Sequence, residues 1–124
     1  SSLFWAGMNK GKKSIAVDIK NPEGKDLITN LITAPGKDAG LFLTNLKVKG
    51  WLDYETLSEL RSDIIIVTLK GDRQGRPQVD YTVNPALGIP EITGHEGSIE
   101  PVANAIPAWD MIAGNMCVSS LLAA

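Results

Sequence analysis

Cysteine and histidine each occur once in these 124 residues, and their scarcity removes whole classes of chemistry. A single Cys117 permits no internal disulfide and suits a reducing, cytoplasmic compartment. It sits in the apolar stretch Met116-Cys117-Val118, where a packed core thiol is expected rather than a reactive one. With His95 as the only imidazole, a metal site would have to rest on carboxylates, and no ligand cluster appears. No metal is therefore expected. Long apolar runs are missing too. Ile64 to Val67 is far shorter than the ~20 residues a membrane helix needs, so no membrane role is expected. Charge of one sign is scarce: a net charge of −2 gives no positive field to recruit nucleic acid. Neither Gly-x-Gly-x-x-Gly nor a P-loop occurs, which leaves a nicotinamide or nucleoside triphosphate role without support. There is no internal repeat.

What remains is the composition of a soluble globular protein, 44% hydrophobic and 21% charged, and enough length for one domain and one core. The chain begins at Ser1-Ser2 without Met and stops at Leu121 to Ala124, inside an apolar helical pattern that has no C-cap. Both ends read as those of a piece of a larger polypeptide, or of the ordered part of one.

Ser14 to Asp18 alternates polar or small with apolar residues and predicts a strand. Asn21-Pro22-Glu23-Gly24 is a helix start, with Asn as cap and Pro at the first helical position. That helix should run over about 22–34 and end before Pro35-Gly36. Residues 41–44 read as a short buried strand. A second helix fits Tyr54 to Arg61, with Asp53 as cap and Leu57 and Leu60 facing inward. Residues 64–69 are β-branched and predict a third strand. Strand and helix alternating in this way is the pattern of a parallel α/β sheet. Beyond it, Tyr81 to Leu87 suits a helix weakened by Pro85, and Gly88 to Pro107 reads as loop. Met111 to Ala124 reads as a helix with small residues on one side.

The most informative stretch is Pro107-Ala108-Trp109-Asp110-Met111-Ile112-Ala113-Gly114. It places a carboxylate in the first turn of that last helix, facing free backbone N–H groups and the positive end of the helix dipole. Such a carboxylate is held in one orientation, as a nucleophile attacking an acyl compound must be. The same residues also fit a plain helix cap. Two basic clusters stand beside glycines: Lys10, Lys12 and Lys13 before the first strand, and Arg73 and Arg76 after the third. Each suits phosphate binding or a solvated face. Asn9 and Asn45 border apolar segments, where turn chemistry is the plain alternative.

In order along the chain, five blocks resemble the family III CoA-transferases, also called the CaiB/BaiF family. Met8-Asn9-Lys10-Gly11-Lys12-Lys13-Ser14-Ile15-Ala16-Val17-Asp18, followed by Asn21-Pro22-Glu23-Gly24, is similar to the family's N-R-G-K-x-S-I-x-L-D-L-K-x-P-E-G stretch. Leu43-Thr44-Asn45-Leu46 resembles its x-x-N-F stretch, and Ile66 to Gly71 the segment ending in its glycine-rich loop. Asp80-Tyr81, Ala86-Leu87-Gly88 and Ile92-Thr93-Gly94 follow its Y-D, A-x-x-G, x-T-G order. Pro107 to Asp110 with Gly114 resembles the segment that carries the family's nucleophilic aspartate.

The resemblance implies a chain about three times this length, an intertwined homodimer, and a large domain with a Rossmann-like α/β core. Residues 1–124 would be the middle of that large domain, with its first strand upstream and the small domain downstream. It implies Asp110 as the nucleophile. It implies CoA contacts at Met8, Asn9, Lys10 and Gly11, at Asn45 and Leu46, and at Gln78 and Val79. The partners implied are an acyl-CoA and a small carboxylate, with CoA arriving as part of the substrate and no permanently bound cofactor. Backbone N–H groups near Asp110 and Gly114 would serve as oxyanion donors. Racemases of the family carry a His base where Val79 stands, so a racemase is disfavoured. The wording of residues 79–84, 68–73 and 106–110 is most similar to the branch that moves CoA between the C1 and C4 carboxyls of mesaconyl-CoA. Intermolecular transfer between two carboxylates, and an inactive CoA-binding fragment, stay open as alternatives.

Overall fold

The computed structural model describes residues 2–124. The chain divides into two compact units, one ending at Leu31 and one spanning Ile32–Ala124.

The N-terminal unit opens with α1 (Leu3–Met8). Ser2 caps it by accepting the Trp5 N–H at 3.2 Å. Asn9 closes it, its backbone and side-chain N–H groups both donating to the Trp5 carbonyl, and Lys12 Nζ donates to the Met8 carbonyl at 2.9 Å. The sequence reading has no counterpart for α1, because six residues that include Gly7 carry little helical period. Residues 14–18, expected as a strand, join no ladder; the sheet among the described residues has two strands only. Alternation describes side chains, whereas a strand also needs a ladder partner for its N–H and C=O groups. The start of α2 (Pro22–Ile32) follows expectation: the Asn21 side-chain oxygen accepts the Glu23 N–H at 3.0 Å. Gly24 is required there, since a Cβ would collide with the Asp18 carbonyl oxygen.

In the second unit, β1 (Leu41–Thr44) and β2 (Ile65–Thr68) pair in parallel, Leu41 opposite Ile65 and Thr44 opposite Thr68. Parallel neighbours need a crossover, which α3 (Tyr54–Leu60) supplies. Asp53 caps α3 by accepting the Thr56 N–H at 2.9 Å and also accepts the Gly50 N–H. Leu57 is wholly buried, and Leu52 and Ile64 nearly so. Leu60, expected to face inward with Leu57, is instead 60% exposed. Arg61 ties the 34–36 turn to this layer: its guanidinium donates to the Ala34 and Gly36 carbonyls and pairs with Asp63 at 2.9 Å.

Next come α4 (Asp80–Ala86), α5 (Ile89–Ile92) and α6 (Ala108–Ala123). α4 forms although Pro85 lies inside it, forgoing one backbone hydrogen bond near its end. The 88–107 stretch, expected to be all loop, holds the short helix α5. Gly88 starts it at φ +71°, Pro90 sits in its first turn, and the Val102 N–H returns to the Pro90 carbonyl at 3.0 Å. α6 packs against both α4 and β2.

Candidate active site

Building the site starts at the front end of α6. Pro107 occupies its N-cap position and offers no side-chain acceptor, so the first-turn N–H groups need partners from elsewhere. Asp80, the first residue of α4, supplies one: its Oδ2 accepts the Trp109 N–H at 2.9 Å. Asn84, one turn along α4, accepts the Trp109 Nε1–H at 2.9 Å and an Asn104 Nδ2–H at 3.1 Å on the same Oδ1. Asp80 and Asn84 are buried, as a polar group aimed at a neighbouring element must be satisfied to be. Of the first-turn N–H groups, expected to be free around Asp110, that of Trp109 is thus engaged by Asp80.

Asp110 is the third residue of α6 and is exposed. It opens onto a cleft of about 390 Å³ whose other walls are Leu43, Thr44 and Asn45 at the end of β1, Leu69 just past β2, and Ala113, Gly114 and Cys117 of α6. The floor is the carboxyl end of a parallel strand pair, where open α/β sheets leave room for ligands. The Thr44 hydroxyl accepts the Leu46 N–H at 2.9 Å, turning the chain immediately after β1 and leaving Asn45 at the rim. The Leu69 N–H reaches the Thr44 carbonyl at 2.8 Å, which holds the two strand ends together. A Cβ on Gly114 would meet nothing within 4 Å, so the missing side chain keeps the space beside Asp110 open. Of the backbone N–H groups near Asp110 and Gly114 expected as oxyanion donors, that of Gly114 itself is not free. Its N–H lies inside α6, committed to the carbonyl four residues back.

A second cleft, of about 370 Å³, shares Asn45 and Leu69 with the first and adds Lys47, Thr68, Lys70, Gly71 and Gly75. Lys70 opens the glycine-bearing loop that the sequence places at a strand's carboxyl end, where ligands bind; Lys47 has the same signal of position, three residues beyond β1. Arg76, in contrast, is exposed but engaged within its own loop. Its guanidinium pairs with Asp72, whose Oδ1 also accepts the Gln74 and Arg76 N–H groups at 2.9 Å each. Those bonds, the Arg76 N–H first, hold the Asp72 carboxyl below the usual aspartate range. Thr56 does the same for Asp53, through side chain and backbone, with the Gly50 N–H adding to it.

The structure therefore brings Asn45 and Asp110 to one cleft. Leu46 stands exposed beside it. Gln78 and Val79 do not line the cleft; they lead into α4, where the Gln78 Oε1 accepts the Thr82 hydroxyl at 2.6 Å. Met8, Asn9, Lys10 and Gly11 belong to the other unit, at the end of α1, with Gly11 at φ +70°. Cys117 is buried as expected, though its place on the cleft wall was not legible from sequence. Among the described residues no group of His, Cys, Asp or Glu is placed to hold a metal ion. No helix among them is long and apolar enough to cross a membrane.

Residues 1–124 match the family model described as CoA-transferase family III. The chain is 54% identical over 123 residues to the 2-methylfumaryl-CoA isomerase of Chloroflexus aurantiacus, covering 99% of the chain and 30% of that protein. It is 32% identical to the succinate–glutarate CoA-transferase of Agrobacterium fabrum, covering 100% of the chain and 32% of the relative. It is 27% identical to the succinyl-CoA:mesaconate CoA-transferase of Haloarcula hispanica, over 73% of the chain and 25% of the relative. The chain thus spans about a third of the length of the curated relatives it matches.

Proposed function

Because the chain belongs to CoA-transferase family III, we propose that the complete protein moves CoA between the C1 and C4 carboxyls of mesaconyl-CoA, with Asp110 as the covalent relay. One observation carries this reading. The exposed Asp110 shares a strand-end cleft with Asn45, in a chain 54% identical to a 2-methylfumaryl-CoA isomerase.

The chemistry balances without metal or nucleotide. The Asp110 carboxylate attacks the C1 thioester carbonyl, forming a mixed anhydride and releasing CoA thiolate. The thiolate attacks the aspartyl carbonyl, giving an aspartyl-CoA thioester and freeing the C1 carboxylate. The C4 carboxylate of the same molecule attacks that thioester, forming a second anhydride and releasing thiolate again. The thiolate attacks the C4 acyl carbon, yielding the C4 thioester and regenerating Asp110. Each step exchanges one acyl bond for another, and splitting one transfer into several such exchanges is what a covalent nucleophile contributes.

Asn45 and Leu46 are assigned to the CoA chain, and the adjoining cleft with Lys47 and Lys70 suits its phosphates, through charge and glycine N–H donors. Met8, Asn9, Lys10 and Gly11, and Gln78 and Val79, keep the CoA-contacting role that the resemblance implies. The chain is read as part of the Rossmann-like large domain of a cytoplasmic, intertwined homodimer.

The test uses mesaconyl-C1-CoA and isotopically labelled free mesaconate with the complete enzyme. Intramolecular transfer converts the C1 to the C4 thioester with little label entering the thioester pool. A carboxylate held in the site competes with an effective concentration on the order of 10⁵ M or more when well oriented. Rapid labelling supports the second reading, intermolecular transfer, which the succinate–glutarate and succinyl-CoA:mesaconate relatives favour. Asp110→Ala should reduce either activity below about 1% of the parent, since a covalent route is then closed.

A further inference from the structure

We propose that Asp80, assisted by Asn84, is a positioning residue for Asp110, acting as a cap delivered to α6 from a neighbouring helix. This rests on the reading of Asp110 as nucleophile and goes one step behind it.

The argument begins with what α6 lacks. Most helices start with a side-chain acceptor at the N-cap, and here that position is Pro107, which has none. The acceptor comes instead from a residue 29 positions upstream, Asp80, at 2.9 Å from the Trp109 nitrogen. Asp80 is only 7% exposed, and a carboxylate is buried at a helix start when it answers an orphan N–H and the helix dipole.

Trp109 is held a second time, by its indole N–H on Asn84 Oδ1, itself 4% exposed. Asp80 and Asn84 are four residues apart on α4 and so share one face. Two holds on one residue, backbone and side chain, fix the height of the first turn of α6 and its rotation about the helix axis. Successive helical residues are turned by about 100°, so directing Trp109 to α4 directs Asp110 away from it. That direction is where the cleft lies.

A nucleophile's rate depends steeply on this alignment, a displacement of about 1 Å costing on the order of 10²-fold. Binding of the acyl-CoA, spread over other residues, depends on it far less. The signature of positioning is therefore a fall in kcat with KM retained.

In the complete enzyme, Asp80→Ala should lower kcat by on the order of 10²-fold and leave KM for mesaconyl-CoA within about three-fold. Hydroxylamine trapping at Asp110 should slow by the same factor. Asp80→Asn keeps an acceptor oxygen at the same reach and should recover most of the rate. Asp80→Ser, whose oxygen falls short of the Trp109 N–H, replaces the Ala variant if that one does not fold, with the same expected loss. Parental kcat in Asp80→Ala or Asp80→Ser, or no recovery in Asp80→Asn, overturns the proposal. Asp110→Ala is measured alongside. If it is inactive while Asp80→Ala is unimpaired, positioning fails and the nucleophile stands; if it is active, both fail.

Discussion

Two donors converge on one buried oxygen at Asn84, from the Trp109 indole and the Asn104 amide. Asn84→Ala strands both, and a buried group left unsatisfied costs about 1–3 kcal/mol. Urea unfolding of the complete protein should show that loss as a lower midpoint with an unchanged slope. Gly114 makes the opposite case. Glycine inside a helix costs about 1 kcal/mol relative to Ala, and nothing here obstructs a methyl group. Gly114→Ala should therefore stabilise α6 by up to about 1 kcal/mol, while Gly114→Leu, filling the cleft beside Asp110, should abolish turnover. Full activity in Gly114→Leu would place the substrate elsewhere. Asp110 itself was legible in the sequence because a carboxylate two residues past a Pro-Ala step marks a first helical turn. Asp80 and Asn84 were not, since nothing local tells that an acid 29 residues upstream will cap another helix.

Elements were legible where the signal is local. β1, β2 and α3 fall where apolar runs and the Asp53 cap place them, and α6 covers the stretch expected from Met111 but starts three residues earlier, at Ala108. The segment 14–18 was not, because pairing is a property of two segments and alternation of one. Leu57 and Leu60 show the same limit. Both sit at helical spacing, yet only Leu57 meets the layer, so period narrows the buried face without fixing it.

The loops at either side of the second cleft carry a pH dependence. Asp53 and Asp72 are both held below their ordinary value by hydrogen bonds from Thr56 and Gly50, and from Arg76 and Gln74. A lowered folded value means that the carboxylates stabilise the fold fully above the unfolded value of about 3.9. That contribution is lost as pH falls from there through the lowered folded values. The 47–53 loop with the first turn of α3, and the 71–76 loop, should therefore keep their amide protection between neutrality and about pH 5 and lose it below about pH 4, as read by hydrogen exchange. Protection lost already near pH 6 would contradict this. In the same cleft, Lys47→Glu and Lys70→Glu should weaken acyl-CoA binding at low salt more than Lys37→Glu, which lies outside it. Equal effects would reduce both lysines to a solvated face.

At the scale of the molecule, each unit presents apolar side chains that a finished surface would cover. Leu3, Phe4 and Trp5 stand 60–90% exposed on α1, and Ile112, Met116, Val118 and Leu122 stand exposed along α6 while Cys117 is buried. A helix apolar around most of its circumference belongs in an interior, and a two-stranded sheet is marginal alone. Residues 1–124 expressed by themselves should bind a hydrophobic dye and aggregate, and the complete protein, as a discrete homodimer, should do neither; a dye-silent monomer of residues 1–124 that melts cooperatively would refute this.

The central claim is chemical, that the carboxylate of Asp110 becomes an acyl carrier. The direct measurement is to incubate the complete enzyme with mesaconyl-CoA, add hydroxylamine, digest, and locate the modified residue by mass spectrometry. The account predicts a hydroxamate on Asp110, formed only when acyl-CoA is present and in step with loss of activity. An unmodified Asp110 in an enzyme that turns over, or a hydroxamate on another residue, would contradict it.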